Sequence, residues 1–229
     1  MSADFQGFPK DALAFLAELR ENNRRDWFDA HKKRYERSVL APAKAFVDSM
    51  GLRLKGLSPN IQAQARVNGS LFRLHRDVRF SNDKTPFKTH VGILFWEGAS
   101  RMDSSCFYVH LEADSFMLAC GMHEMDKQRL AEYRTAVADD ERGKRLQELC
   151  ARLRGQGYEL GGLHYKRVPQ GYDKAHPRAE LLRHLGIWTG YTSTQVGRLL
   201  QADFLDFAMP HFKAMFPLHQ WLLEMPTVG

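Results

Sequence analysis

Cysteine is scarce in this chain. Its three residues, Cys106, Cys120 and Cys150, form no CxxC pair, and so sparse and odd a count argues against a disulfide framework. Long apolar runs are missing as well. Val91–Trp96 is among the longest, well short of the roughly 20 residues needed to cross a bilayer. Met1-Ser2-Ala3-Asp4 shows no basic region leading into an apolar stretch, so no secretory signal is visible. These absences predict a cytoplasmic protein with no membrane partner. Chemical fingerprints are equally few. There is no Walker loop or dinucleotide motif, and Gly161-Gly162 alone says nothing about phosphate. A GxSxG elbow is absent. HExxH, HxH and paired-cysteine motifs are absent too, so no metal ligand set is assigned.

What is present reads as an ordinary globular mixture, 44% hydrophobic and 26% charged over 229 residues. A chain this long buries enough surface to fold without a disulfide or metal. The simplest organisation is one domain over residues 1–229, because no repeat, low-complexity tract or linker interrupts it. Lys and Arg outnumber Asp and Glu by 33 − 27 = 6, which favours anionic partners.

Periodicity predicts an α+β fold. Leu13, Leu16 and Leu19 lie on one face of a helix from about Pro9 to Glu21, with Pro9 in its first turn. Asn22-Asn23 offers a cap for a second helix that gathers Trp27, Phe28, His31 and Tyr35 on one side. Pro42 kinks that helix or starts another. Ile61–Val67 alternates as a half-buried strand, Asn68-Gly69 turns, and Leu71–Leu74 and Val91–Trp96 read as strands. A hairpin joins Ser105–Ala113 to Phe116–His123 through a turn at Asp114-Ser115. In that register Cys106 faces His123 and His110 faces Ala119. Phe107, Val109, Leu111, Phe116, Leu118, Cys120 and Met122 share its apolar face. Cys106, Tyr108, His110, Glu112 and His123 share the mixed face, so Cys106 and Cys120 point apart. Helices over Asp126–Ala138 and Asp139–Arg154, strands at His164–Val168 and Ile187–Thr192, and short helices broken by Pro210 and Pro217 complete the chain. The expected architecture is a mostly antiparallel central sheet with N-terminal and C-terminal helices packed against it.

The densest polar stretch runs from Arg73 to His90. Arg73, Arg76, Arg79, Lys84 and Lys88 can each donate charge-assisted hydrogen bonds to phosphate or carboxylate, and Asp77 and Asp83 can orient them. The segment Arg76-Asp77-Val78-Arg79-Phe80-Ser81-Asn82-Asp83-Lys84-Thr85-Pro86-Phe87-Lys88-Thr89-His90 resembles the central signature of DUF family 2461, a bacterial and fungal family of unknown function. Asn23-Arg24-Arg25-Asp26-Trp27-Phe28-Asp29-Ala30-His31-Lys32 is similar to its opening motif. Lys166-Arg167-Val168-Pro169-Gln170-Gly171-Tyr172, with His176-Pro177, is similar to its C-terminal one. The resemblance spans nearly the whole chain and implies an intracellular domain of this size, with no established activity or cofactor. Phe87 stands where the family pattern often has tyrosine, so chemistry there needs no phenol hydroxyl.

Convergence of the three motifs would make a pocket. Arg73, Arg76, Arg79, Ser81, Lys84, Lys88 and Arg167 are its expected ligand-binding residues, and His31, His90 and Asp77 its candidates for proton transfer. The leading reading is a small phosphate- or carboxylate-bearing ligand, extended to hydrolase or transferase chemistry. A second is nucleic-acid binding along an exposed basic track interleaved with Trp27, Phe80 and Phe87. A third is a structural or interaction module whose cations are neutralised internally by Asp77 and Asp83.

Overall fold

The computed structural model describes residues 4–98 and 100–225; the signal reading made on Met1-Ser2-Ala3 lies outside them. The fold is α+β, with a five-stranded antiparallel sheet of order β1-β2-β3-β5-β4. These strands are Val91–Trp96, Cys106–Leu111, Phe116–Met122, Glu159–Leu163 and His184–Ser193 in chain order. Contacts separate the chain into two compact units. One comprises Met1–Phe95, Tyr108–Leu118 and Thr192–Pro210, the other Trp96–Phe107, Ala119–Tyr191 and His211–Gly229.

The first unit opens with α1 (Lys10–Glu21), which buries Ala12, Phe15, Leu16 and Leu19 at helical spacing. Pro9 stands just outside it as the cap, with extended backbone, rather than in the first turn. Helix α2 (Arg25–Tyr35) runs through a π-helical turn, Glu36–Leu40, into α3 (Ala41–Lys55), where Pro42 occupies a first-turn position that needs no N–H. Arg34 of α2 fixes α1 by donating to Asp11 at 2.7 Å and Glu18 at 2.6 Å. Ser38 adds a bond to Asp11 at 2.6 Å.

Two expectations fail here. Asn23 does not cap α2, whose N-terminus has no side-chain cap. Its amide reaches across the unit to Phe87 instead, donating to the carbonyl at 2.9 Å and accepting from the N–H at 3.0 Å. The Ile61–Val67 stretch is not a strand either. It folds back on Ser70, which donates its N–H to Gln64 O at 2.8 Å and accepts from Gln64 N–H through its hydroxyl at 3.0 Å. The Asn68-Gly69 turn does form, with Asn68 at φ 62°.

Beyond it, residues 71–76 and 86–93 run antiparallel as two arms. Phe72 N–H bonds Gly92 O, Lys88 N–H bonds Leu74 O and Arg76 N–H bonds Pro86 O, at 2.8–3.0 Å. Residues 77–85 form the tip between them. Phe87, 2% exposed, stacks on Phe28 of α2 with centroids 4.3 Å apart.

The hairpin faces are as the alternation predicts, but the register is not. Glu112 N–H donates to Ser115 O at 2.9 Å, which places the turn at Ala113-Asp114. Cys106 Sγ donates to Gly121 O at 3.4 Å, so Gly121, not His123, lies opposite Cys106. All three cysteines are free.

In the second unit, Asp126 and Asp139 cap α4 (Lys127–Ala138) and α5 (Asp140–Gly155) through their carboxylates. Arg178 precedes the short α6 (Ala179–Leu182) and is buried. It donates to the carbonyls of Val137 at 2.7 Å, Ala138 at 3.1 Å and Asp139 at 3.2 Å, closing the end of α4. Gly143 is required beside it, because a Cβ there would collide with the Arg178 guanidinium and Val137 O. The strand expected at His164–Val168 lies earlier, at Glu159–Leu163. There Gly161 admits the Trp188 ring and Gly162 takes φ 99° at a register shift.

The C-terminal helix corrects the sequence reading most clearly. Pro210 and Pro217 do not break it: α7 runs unbroken over Phe204–Leu223. Its second half, with Phe212 just before it, buries Met215, Leu218, Trp221 and Leu222. At ~1.5–3 kcal/mol for each large apolar side chain, that burial outweighs the ~3 kcal/mol cost of a proline in a helix interior. His219, also on this half, is fully buried. Its Nε2–H donates to Glu97 at 3.3 Å, and its Nδ1 accepts from the Ser105 hydroxyl at 2.9 Å.

Two outcomes test this account. Asn23→Ala strips both partners from the Phe87 peptide and is expected to destabilise the fold by about 2 kcal/mol in chemical denaturation. Asn23→Asp keeps only the acceptor and should fall between; a neutral Asn23→Ala would refute the clamp. The second concerns acid. Burial holds the His219 pKa below its ordinary value despite Glu97, and burial lowers His184 likewise. The unfolded chain therefore takes up protons first, so stability is full above about pH 6.5 and is lost as pH falls from there toward the folded pKa values. Denaturation at pH 7.5 and 5.5 should show the loss, and His219→Gln should reduce its slope. Equal stability at both pH values would contradict the assignment.

Candidate functional site

The opening and central motifs meet at the Asn23–Phe87 clamp. Phe87 and Val91 are buried, and Lys88 and His90, at a bend of the arm between them, are half-buried. A Cβ at Gly92 would meet the Tyr108 hydroxyl and the Phe72 ring. The outward residues of the arm thus share a face with Tyr108, His110 and Glu112 of β2.

Most cations of the central signature hold the tip together. Arg76 hydrogen-bonds Asp83 and Thr85, with Ser81 Oγ at 3.5 Å. Arg79 forks onto Asp77 at 2.7 and 3.0 Å, and Lys84 donates to Val78 O at 3.0 Å. Hydrogen bonds from the Arg79 side chain and backbone lower the Asp77 pKa to about 2. The Thr85 N–H, followed by Arg76, does the same for Asp83. Asp77 is thus an ion-pair partner rather than a free base. Arg73 is exposed beside this network. Phe80 projects from the tip, 96% exposed, with the Arg79 guanidinium 5.8 Å from its ring centre. Phe87 is buried, so it is no surface for stacking bases.

The remaining candidates divide. His31 stacks on Trp27 at 4.1 Å and donates Nδ1–H to Trp27 O at 2.7 Å. Arg167 lies exposed in the second unit. There Arg183 donates to Lys166 O at 3.4 Å and the Arg178 N–H to His176 Nδ1 at 3.0 Å, the two bonds that reach the C-terminal motif from this side.

His90 lies in the chemically richest cluster of the first unit. Its ring is 4.2 Å from that of His110. His110 Nε2 lies 2.9 Å from Glu112 Oε1, and its Nδ1 lies 3.1 Å from the Tyr108 hydroxyl. A carboxylate only accepts, so Nε2 carries the hydrogen and Nδ1 accepts from the phenol. Lys88 Nζ sits 5.2 Å from the Phe72 ring centre, and Phe72 packs edge-on against Tyr108. The His90 pKa is pulled down to about 4 by burial, with the nearby His110 and Lys88 adding to the effect and Glu112 opposing it. His90, rather than His123, is the second imidazole beside His110. Tyr108 and Glu112 were unassigned in the sequence, although polar side chains at 108, 110 and 112 on one strand face were the available signal.

Two other arrangements invite catalytic readings. Ser105, His219 and Glu97 have the connectivity of a nucleophile, base and orienting acid, but Ser105 is only 1% exposed. No substrate reaches its hydroxyl, so the trio is a buried polar tie. Burial drives the Cys106 thiol up to about 12, which removes it as a nucleophile. A groove of about 460 Å³ between α5 and α7 is lined by Arg145, Arg152, Glu148, Pro217 and Glu224, with Arg145 paired to Glu224.

No curated protein and no solved structure matches the chain. The family model described as a conserved hypothetical protein (DUF2461) matches residues 11–221, which take in all three motifs. The chain belongs to that family.

Proposed function

We propose that the protein binds a small phosphate- or carboxylate-bearing ligand where Lys88 and His90 adjoin β2, and that Tyr108, His110 and Glu112 relay a proton there. The observation that carries this reading is the continuous Glu112–His110–Tyr108 hydrogen-bonded chain on a partly exposed sheet face. Its order is that of an orienting acid, a base and a hydroxyl. Lys88 supplies the cation on the same side, and His90 supplies a neutral imidazole at physiological pH. Arg76, Arg79 and Lys84 stiffen the tip rather than contact the ligand. That role departs from the direct contacts expected of them, and their carboxylate and carbonyl partners support it.

The test is a thermal-shift screen with inorganic phosphate, nucleoside monophosphates and dicarboxylates. A true ligand at a hundredfold excess over Kd should raise Tm by about 5–10 °C. Lys88→Ala should abolish the rise and Arg79→Ala should retain it. An equal rise in wild type and Lys88→Ala, or no rise with any anion, would overturn the reading.

One observation favours nucleic acid as a second reading: the exposed Phe80 beside Arg79 is a stacking surface. Fluorescence anisotropy with a single-stranded oligonucleotide decides it. Phe80→Ala should weaken binding by about 1–3 kcal/mol, with a steep salt dependence. Binding indifferent to Phe80 removes this alternative.

A further inference from the structure

The geometry points to a divalent transition-metal site formed by His90, His110 and Glu112. One ligand atom from each of the three lies within 4.8 Å of the other two. Ligand atoms around a tetrahedral ion with bonds near 2.05 Å stand about 3.4 Å apart. No gap therefore needs to close by more than about 1.4 Å, within reach of side-chain rotation. His110 Nε2 and Glu112 Oε1, 2.9 Å apart, need to open slightly to admit the ion between them.

The donor chemistry fits. Two imidazoles and one carboxylate form a set that binds zinc, iron, cobalt or nickel and leaves positions open for a further ligand. The His90 ring makes no hydrogen bond among the described residues. Both ligand-bearing segments are held from behind, the arm by the Asn23–Phe87 clamp and β2 by its place in the sheet.

Tyr108 has a defined part in this arrangement. When the ion takes Nε2 of His110, the ring hydrogen moves to Nδ1, and Nδ1–H then donates to the Tyr108 oxygen at the same 3.1 Å contact. An outer hydrogen bond of this kind fixes the tautomer and orientation of a ligating histidine. A bound ion would also offset the Glu112 charge and give an anion an electrophilic partner. In that respect the inference deepens the proposed function and rests on it for the ligand, although metal binding itself requires no anion.

The experiment uses the full chain, stripped with a chelator and titrated with Zn2+ by calorimetry in a buffer free of phosphate and carboxylates. Co2+ serves as the spectroscopic probe. The expected result is one saturable site per chain, with Co2+ absorption typical of nitrogen and oxygen donors and without thiolate charge transfer. Glu112→Gln and His90→Ala should each abolish saturable binding while circular dichroism stays native. Tyr108→Phe, which removes no ligand, should weaken binding by about 10- to 100-fold. Absence of saturable binding in the wild type, or unchanged affinity in folded Glu112→Gln and His90→Ala, would overturn the site. Repeating the Lys88 anion screen in chelator separates the two ideas. An anion shift without metal binding defeats only the metal site, and metal binding without an anion shift defeats only the ligand reading.

Discussion

The two hydrogen bonds between the Asn23 amide and the Phe87 peptide are the constraint on which the functional face depends. A primary amide presents a donor and an acceptor side by side, as a peptide does, so one side chain substitutes for a neighbouring strand where the ladder would otherwise end. Together with the Phe28 stack, it commits Phe87 to the interior. Beyond it the arm bends at Thr89 and His90, and Lys88 and His90 lie beside Phe72 and His110 on the side that carries Tyr108. A slip of one residue would bury a lysine and expose a phenylalanine. Each costs far more than the slip could return.

This constraint also explains why a motif crowded with cations forms a rigid tip rather than a basic patch. Arg76 stands at the end of the arm, its N–H on Pro86 O, and Arg79 in the loop beyond it. Each finds its counter-charge within that loop, Asp83 for one and Asp77 for the other. Exposed pairs of this kind contribute little stability singly. Their geometric effect is to shape residues 77–85 and present Phe80 outward. Composition counts charges and does not say which of them pair with one another, so the Arg76–Asp83 and Arg79–Asp77 pairings of the tip were not legible in the sequence.

Legibility in the sequence followed how local each signal was. The hairpin faces could be read because alternation is local and survives a change of register. The turn could not, because Ala113-Asp114 and Asp114-Ser115 are both acceptable two-residue loops, and the Glu112–Ser115 bond selects between them. The strand at Glu159–Leu163 was invisible because its glycines exist to admit Trp188, a distant residue. Two prolines suggested breaks in α7, yet the apolar face beneath them decides the outcome. Asn23 looked like a cap because Asn before a helix usually is one; only the fold reveals its partner 64 residues away. His90 and His110 were each visible as histidines, but their ring contact joins two separate segments and shows only in the fold.

His110 has two nitrogens and, in this face, two neighbours, so its single ring hydrogen decides which chemistry the cluster supports. With the hydrogen on Nε2, Glu112 is satisfied, Tyr108 donates to Nδ1, and the phenol oxygen is poised to exchange a proton through the ring. With the hydrogen on Nδ1, Tyr108 becomes the acceptor, and Nε2 and the carboxylate turn their lone pairs toward the same point. His90 stands beside that point in either case, with no hydrogen-bond partner of its own among the described residues. The proton relay is complete without His90, which in the proposed function stands beside the ligand and takes no part in the relay. An ion shared by both rings and Glu112 gives all three polar groups a role, and it makes Tyr108 the residue that holds the required tautomer. On this reasoning the His90 imidazole, tilted against His110 and without a hydrogen bond among the described residues, is the feature that separates a metal centre from a simple hydrogen-bond chain.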